Sequence, residues 1–245
     1  MIENTWIYFA LIFSTFLNII VPLPGILAIS LLAIITDPKI AIALASFYFL
    51  LSGFIRIALF RKYIQWRHVK GLWILSAVGA TLGALALFTI SDRLLLLIII
   101  ILSLYFLYKK IFTPPKNNES SNKSSLTVHA VGLLSGFLQG TGLSAGRDLR
   151  NNFLYSRGVT LVQLQGTTAV LGAINFLLAT IVRLVKGQIT IPDLSPFLII
   201  FPFMVVGVLI GKYVLKKIDS KFGNVAVLII MATTILFLVY KFISL

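Results

Sequence analysis

The chain has 245 residues, of which 59% are hydrophobic and 11% charged, with a mean hydropathy of +1.03 and no cysteine. Soluble domains carry about 25% charged residues, so this composition excludes a soluble globular enzyme, a disordered chain and a fibrous repeat. It leaves a polytopic membrane protein, most of whose surface faces lipid. The net charge of +14 fits basic loops that orient spans and touch anionic lipid, so no nucleic-acid partner is expected. Without thiols, and with His68 and His129 both beside polar or linker sequence, neither a metal site nor another cofactor is expected.

A helix needs about 20 apolar residues to cross a ~30 Å hydrocarbon core. The first such run covers residues 5–21. It lacks a basic leader and a small-residue cleavage site, and reads as a retained span. Pro22-Leu-Pro24-Gly25 breaks it, and a short apolar piece at 25–35 ends at Asp37-Pro38. Helices are expected at 40–60, 69–90 and 94–112. Residues 113–125 are rich in Pro, Ser and Asn and have no apolar face, the pattern of a flexible linker. After it the plan returns: a helix at 127–138, a glycine-rich break over Gln139-Gly-Thr-Gly-Leu-Ser-Ala-Gly146, a short piece at 147–156 stopping at Arg157-Gly158, and helices at 160–185, 194–215 and 224–243.

The two halves match in order. The break at Pro22–Gly25 answers the break at Gly140–Gly146, Asp37-Pro38 answers Arg157-Gly158, Gly79-x-x-x-Gly83 answers Gly207-x-x-x-Gly211, and Tyr108-Lys-Lys-Ile answers Tyr240-Lys-Phe-Ile. Four ordered matches indicate an internal duplication, giving repeats at 1–112 and 127–245 about a polar linker at 113–126. The glycine pairs are read first as helix-packing devices. Lys and Arg concentrate at 61–70, in the linker region and at 216–221, which places those loops in the cytoplasm and both termini outside. Corresponding loops then fall on opposite sides, so the repeats are inverted. The expected fold is all-α and polytopic, in the plasma membrane. Each repeat has a broken or re-entrant helix pair plus three transmembrane helices, an architecture of secondary transporters.

Irregular backbone inside a membrane survives only when buried in protein or lining a cavity, so both breaks are expected to point inward. A half-helix N-terminus there presents free N–H groups and partial positive charge, which suits an anion. The candidate substrate-binding residues are Gly140, Thr141, Gly142, Ser144, Gly146 and Arg147 in the second break, Pro24 and Gly25 in the first, and Asn175 in the middle of a span. Asp148 is the acid placed for proton coupling. On a helix Arg147, Arg150 and Asn151 share one face and Asp148, Asn152 and Tyr155 another. Each charge at the bilayer centre costs about 2.5–3.5 kcal/mol, so Arg147, Asp148 and Arg150 need a wet cavity or a place near the headgroups. Arg56 is read as snorkelling from a helix end, and Arg183 as part of an external loop. The guanidinium fork suits carboxylate, sulfite or sulfonate oxygens.

The chain resembles the sulfite exporter TauE/SafE family, also called the toluene sulfonate uptake permease family. The resemblance covers nearly the whole length. It is carried by Gly132-Leu-Leu-Ser-Gly-Phe-Leu-Gln-Gly-Thr-Gly142, by Phe153-Leu-Tyr-Ser-Arg-Gly158, by the Asn175 helix ending at Lys186-Gly-Gln-Ile189, by the second Gly-x-x-x-Gly and by Lys216-Lys-Ile-Asp-Ser220. It implies a transporter of sulfite, sulfonates or related organic anions built from two repeats. The chain departs from the family pattern in its first break, which has Pro22-Leu-Pro-Gly25, and in its second, which lacks a contiguous glycine triplet. The expected partners are a small anion and the lipid bilayer, and a homodimer is compatible with the sequence. The alternatives are an intramembrane enzyme acting on a lipid phosphate, which would need paired acids or a Ser/His constellation, and an inactive membrane paralogue. No enzymatic activity is expected, because the seven acids lie mostly in loops.

Overall fold

The computed structural model describes residues 11–16, 28–29, 32–33, 36–112, 125–142 and 145–215, and residues 232–233, 235–236, 239–240 and 242–243 near the C-terminal end. Pro24 and Gly25 of the first break, the linker at 113–124, Ser144 and the basic loop at 216–221 lie outside the described residues. Among the described residues, the α-helices with defined bounds are α1 (Pro38–Phe60), α2 (Trp66–Ala86), α3 (Asp92–Phe112), α4 (Ser125–Gly140), α5 (Ala145–Tyr155), α6 (Leu161–Val185) and α7 (Ile191–Leu215), with a 3-10 turn at Arg61–Tyr63. No strand occurs among the described residues. Among the described residues four stretches, Pro38–Tyr63, Trp66–Ala86, Leu161–Val185 and Ile191–Val214, are long and apolar enough to cross a membrane. The protein is thus an all-helical, polytopic membrane protein. α2 ends four residues before the expected boundary of 90, because Leu87, Phe88 and Thr89 turn back onto the carbonyls of Gly83, Leu85 and Ala86.

Two compact units divide the chain, one from residues 1–42, 90–115 and 195–245, the other from 43–89 and 116–194. Each takes chain from both sides of the linker. In the first unit Pro38 stands at the start of α1, where its missing N–H costs nothing, and Lys39 lies 3.5 Å from Asp92. A Cβ on Gly207 of α7 would lie 3.3 Å from the Ile12 carbonyl, so Gly207 brings α7 close to that segment. Ile199, Phe203, Val206 and Ile210 of α7 point outward. A continuous apolar face of this kind is what lipid requires.

In the second unit α4 and α5 form a helical hairpin. A Cβ on Gly146 would strike the carbonyl of Ser135, and Phe153 and Leu154 of α5 pack in one core cluster with Val128 and Val131 from the start of α4. The chain therefore turns back at Gln139–Gly142. Gly142 has φ 83° and donates its N–H to the Gln139 carbonyl at 3.0 Å. The eleven residues of α5 span about 16 Å, too short to cross the membrane. Gly158, at φ 75°, ends the hairpin, with Val159 N–H reaching back 3.2 Å to the Leu154 carbonyl.

The hairpin rests on α2 through glycines. Cβ atoms on Gly79 and Gly83 would strike the Leu133 and Phe137 carbonyls, and Cβ atoms on Gly136 and Gly140 the Ser76 and Ala80 carbonyls. The small residues of both helices thus let the two backbones touch, which is the packing role expected of Gly79-x-x-x-Gly83. α6 lies on the other side. A capping box opens it: Thr160 Oγ1 accepts from Gln163 N–H at 3.4 Å, and Gln163 Oε1 accepts from Thr160 N–H at 2.9 Å.

Candidate functional site

The polar groups of the second unit line one stripe of α6. Gln165, Thr168, Gly172, Asn175 and Arg183 recur at helical spacing, and all are buried. The stripe rises about 27 Å. Opposite it stand α1, the hairpin tip and α5.

At the start of the stripe Arg56 of α1 donates from Nη2 to the Gln165 carbonyl and to Thr168 Oγ1, both at 3.3 Å. The expectation that Arg56 snorkels is overturned. It is 7% exposed, and its partners lie in α6, more than a hundred residues away in sequence. One turn further, a Cβ on Gly172 would sit 3.9 Å from Arg150 Nη2 and 3.6 Å from Gln139 Nε2. The missing side chain leaves room there for both groups.

Arg150 of α5 is fully buried and donates from Nη1 to Gln139 Oε1 at 3.1 Å. Asn175 Nδ2 reaches the same oxygen at 2.8 Å and Ser76 Oγ at 2.8 Å. Turning the Asn175 amide over keeps Ser76 and Gln139 as its neighbours. The result is a run of neighbouring polar side chains from α2 through α6 and the hairpin tip to α5, in which Gln139 stands between Asn175 and Arg150.

At the far end Arg183 is fully buried inside α6, not in a loop as expected. Its Nη2 donates to the Gly140 carbonyl at 2.6 Å, and its Nη1 donates to Ser46 Oγ. Gly140 is the last residue of α4, so Arg183 meets the negative end of that helix. It fixes the hairpin tip.

The hydrogen bonds of Arg56, Arg150 and Arg183 all end on neutral oxygens among the described residues. Arg183 has a helix terminus as compensation. Arg56 and Arg150 have none among the described residues, where the Nε atoms of Arg56, Arg150 and Arg183 alike are buried with no hydrogen-bond partner, as is Asn151 Oδ1. Arg147 stands one turn before Arg150 on the same helix, and its charge and that of Arg150 both act on Arg56. Asp148 is the acid that acts on Arg147. A buried ion without a counter-ion costs several kcal/mol, and the hydrogen bonds of Arg56 and Arg150 reach only neutral oxygens among the described residues.

Of the candidate residues, Arg147, Asn175, Thr141 and Gly142 lie at or beside this network, and Thr141 is buried with its hydroxyl bonded to the Leu138 carbonyl at 2.9 Å. On the side a Cβ would take, Gly140 and Gly146 lie against the Ala80 and Ser135 backbones respectively, so on that side both serve helix packing. Arg56, Arg150 and Gln139 are prominent here although sequence reasoning gave them lesser roles. The polar stripe on an otherwise apolar α6 is the signal that points to their partners. Among the described residues no three His, Cys, Asp or Glu side chains come together as a metal site.

The family model for the sulfite exporter TauE/SafE matches residues 8–238, nearly the whole chain, and the chain belongs to that family. The family is one of membrane transporters of the sulfite and sulfonate type, not of enzymes. No match was found among curated proteins or among solved structures.

Proposed function

We propose that this member of the sulfite exporter TauE/SafE family is a secondary transporter that carries a small oxyanion, sulfite or a sulfonate, across the plasma membrane by alternating access. The anion is held in the second unit by Arg56, Arg147 and Arg150, with Gln139 and Asn175 setting the position of Arg150. Thr141 and Gly142 at the hairpin tip complete the candidate contacts. Asp148, next to Arg147, is the residue proposed to carry a coupling proton. The linker and the basic loops are assigned to the cytoplasm by their charge.

The observation that carries this reading is the pair of buried guanidiniums, Arg56 and Arg150, whose hydrogen bonds end on neutral oxygens among the described residues. An arginine fork offers parallel N–H donors that match the oxygens of sulfite and sulfonate. The two-repeat plan supplies a mechanism for exposing one site alternately to each side. The test is counterflow in proteoliposomes preloaded with unlabelled sulfite. Accumulation of labelled sulfite, lost in Arg150→Gln, supports the reading. Equal counterflow in the wild type and Arg150→Gln overturns it.

A further inference from the structure

We infer that the turn from α1 into α2 is a docking surface for the headgroup of an anionic phospholipid, taken in preference to a zwitterionic one. The turn joins two of the stretches long and apolar enough to span a membrane, Pro38–Tyr63 and Trp66–Ala86, so it meets the lipid headgroups. Residues 61–73 include Arg61, Lys62, Arg67 and Lys70 and no acid, and all four cations are exposed. Tyr63, Trp66 and Trp73 are exposed beside them. On α2, Trp66, Lys70 and Trp73 recur at i, i+4 and i+7 and so share one face. Indole rings settle at headgroup level. A lysine between two of them lays its stem along apolar surface and lifts its ammonium to the phosphate. Rings and cations in one patch fit a ligand that is part acyl chain and part anion.

The residues between the cations are tied inward. Ile64 and Val69 are buried in one core cluster with Leu72 of α2 and Leu164 of α6. Gln65 N–H donates to Thr167 Oγ1 at 3.0 Å. A Cβ on Gly166 would lie 2.8 Å from the Phe60 carbonyl, so α6 meets the end of α1 at its backbone. The turn is therefore held in place before any lipid arrives, and binding does not have to order it. That sets it apart from a basic segment that attracts anionic lipid only diffusely.

The chain has three tryptophans. Trp6→Phe leaves only Trp66 and Trp73, whose fluorescence is quenched by bromine on nearby lipid chains. The full chain carrying Trp6→Phe is reconstituted in equal mixtures of phosphatidylglycerol and phosphatidylcholine, with one lipid or the other brominated. Quenching is expected to show phosphatidylglycerol favoured beside these rings at least about fivefold, and the preference to shrink as salt is raised. Adding Arg61→Gln, Arg67→Gln and Lys70→Gln together is expected to bring the ratio to about two or less. Adding Lys216→Gln, Lys217→Gln and Lys221→Gln, which removes the same charge from another basic segment, is expected to leave it unchanged. Arg61→Lys with Arg67→Lys, which keeps the charge, is expected to retain it. Equal quenching by the two lipids without these additions overturns the preference. Quenching by neither means that protein, such as a second copy of the chain, covers the face, and overturns lipid docking. A ratio kept when the turn is neutralised, or lost equally when either segment is neutralised, overturns the assignment to this turn. None of these readouts depends on the anion transported.

Discussion

The α2–α4 seam and the α6 stripe lie in the same unit and solve opposite problems. At the seam, side chains are removed until two backbones touch: Gly79, Gly83, Gly136 and Gly140 each face a carbonyl of the other helix. Along the stripe, polar side chains are retained at depth, and Arg56 and Arg150 are buried against neutral partners. The seam can be explained by packing alone. The stripe cannot, because a protein that needed only to fold could place apolar residues there at lower cost. On the function proposed above, the difference separates what builds the unit from what the unit is for.

That separation can be broken at either end. The largest effect is expected at the seam. Gly136→Val drives a branched side chain into the Ser76 backbone, which cannot rotate away. It should cost at least about 3 kcal/mol and abolish the monodisperse peak in size-exclusion chromatography. A well-folded Gly136→Val protein would mean that the seam is looser than described.

Next comes the stripe. Arg150→Gln should keep the fold and reduce the rate of anion uptake into proteoliposomes by about a hundredfold, the effect of losing a buried charge-assisted bond of about 3 kcal/mol. Asn175→Asp sharpens the same point. It puts a carboxylate beside Gln139, the partner of Arg150, adds a negative charge from within, and should weaken anion binding about tenfold in a calorimetric titration. If Asn175→Asp binds the anion as well as the wild type, Arg150 is not part of the binding charge.

The smallest effect belongs to neither region. Thr160→Ala removes one half of the capping box of α6, should lower stability by about 1 kcal/mol in a thermal melt, and should leave uptake unchanged.

Much of the fold was legible in the sequence, because apolar runs of about 20 residues have few alternatives in a membrane. The limits of α1, α3, α5, α6 and α7 fall within three residues of those expected. The glycine-rich break is where the hairpin turns, since Gly142 can take a left-handed backbone that other residues resist. Whether the short helix crosses or returns was not legible, because that depends on Phe153 and Leu154 finding Val128 and Val131 in space. Arg56 and Arg183 were misjudged for a related reason. A charge near the end of an apolar run looks like an interface residue until its partner is known. The partners of Arg56 are Gln165 and Thr168, and those of Arg183 are Ser46 and Gly140. The local cue was the spacing of Gln165, Thr168, Gly172 and Asn175 on one face of a span, which marks a buried polar stripe before any contact is seen.

The central claim is that an oxyanion sits against Arg56 and Arg150, and its most direct test is a position. Selenite, a heavier analogue of sulfite, can be located by anomalous scattering in crystals of the full chain. The account predicts a selenium peak within hydrogen-bonding reach of both guanidiniums, beside Gly172, that disappears in Arg150→Gln. A selenium peak confined to the protein surface, or one inside the protein that persists unchanged in Arg150→Gln, would contradict it.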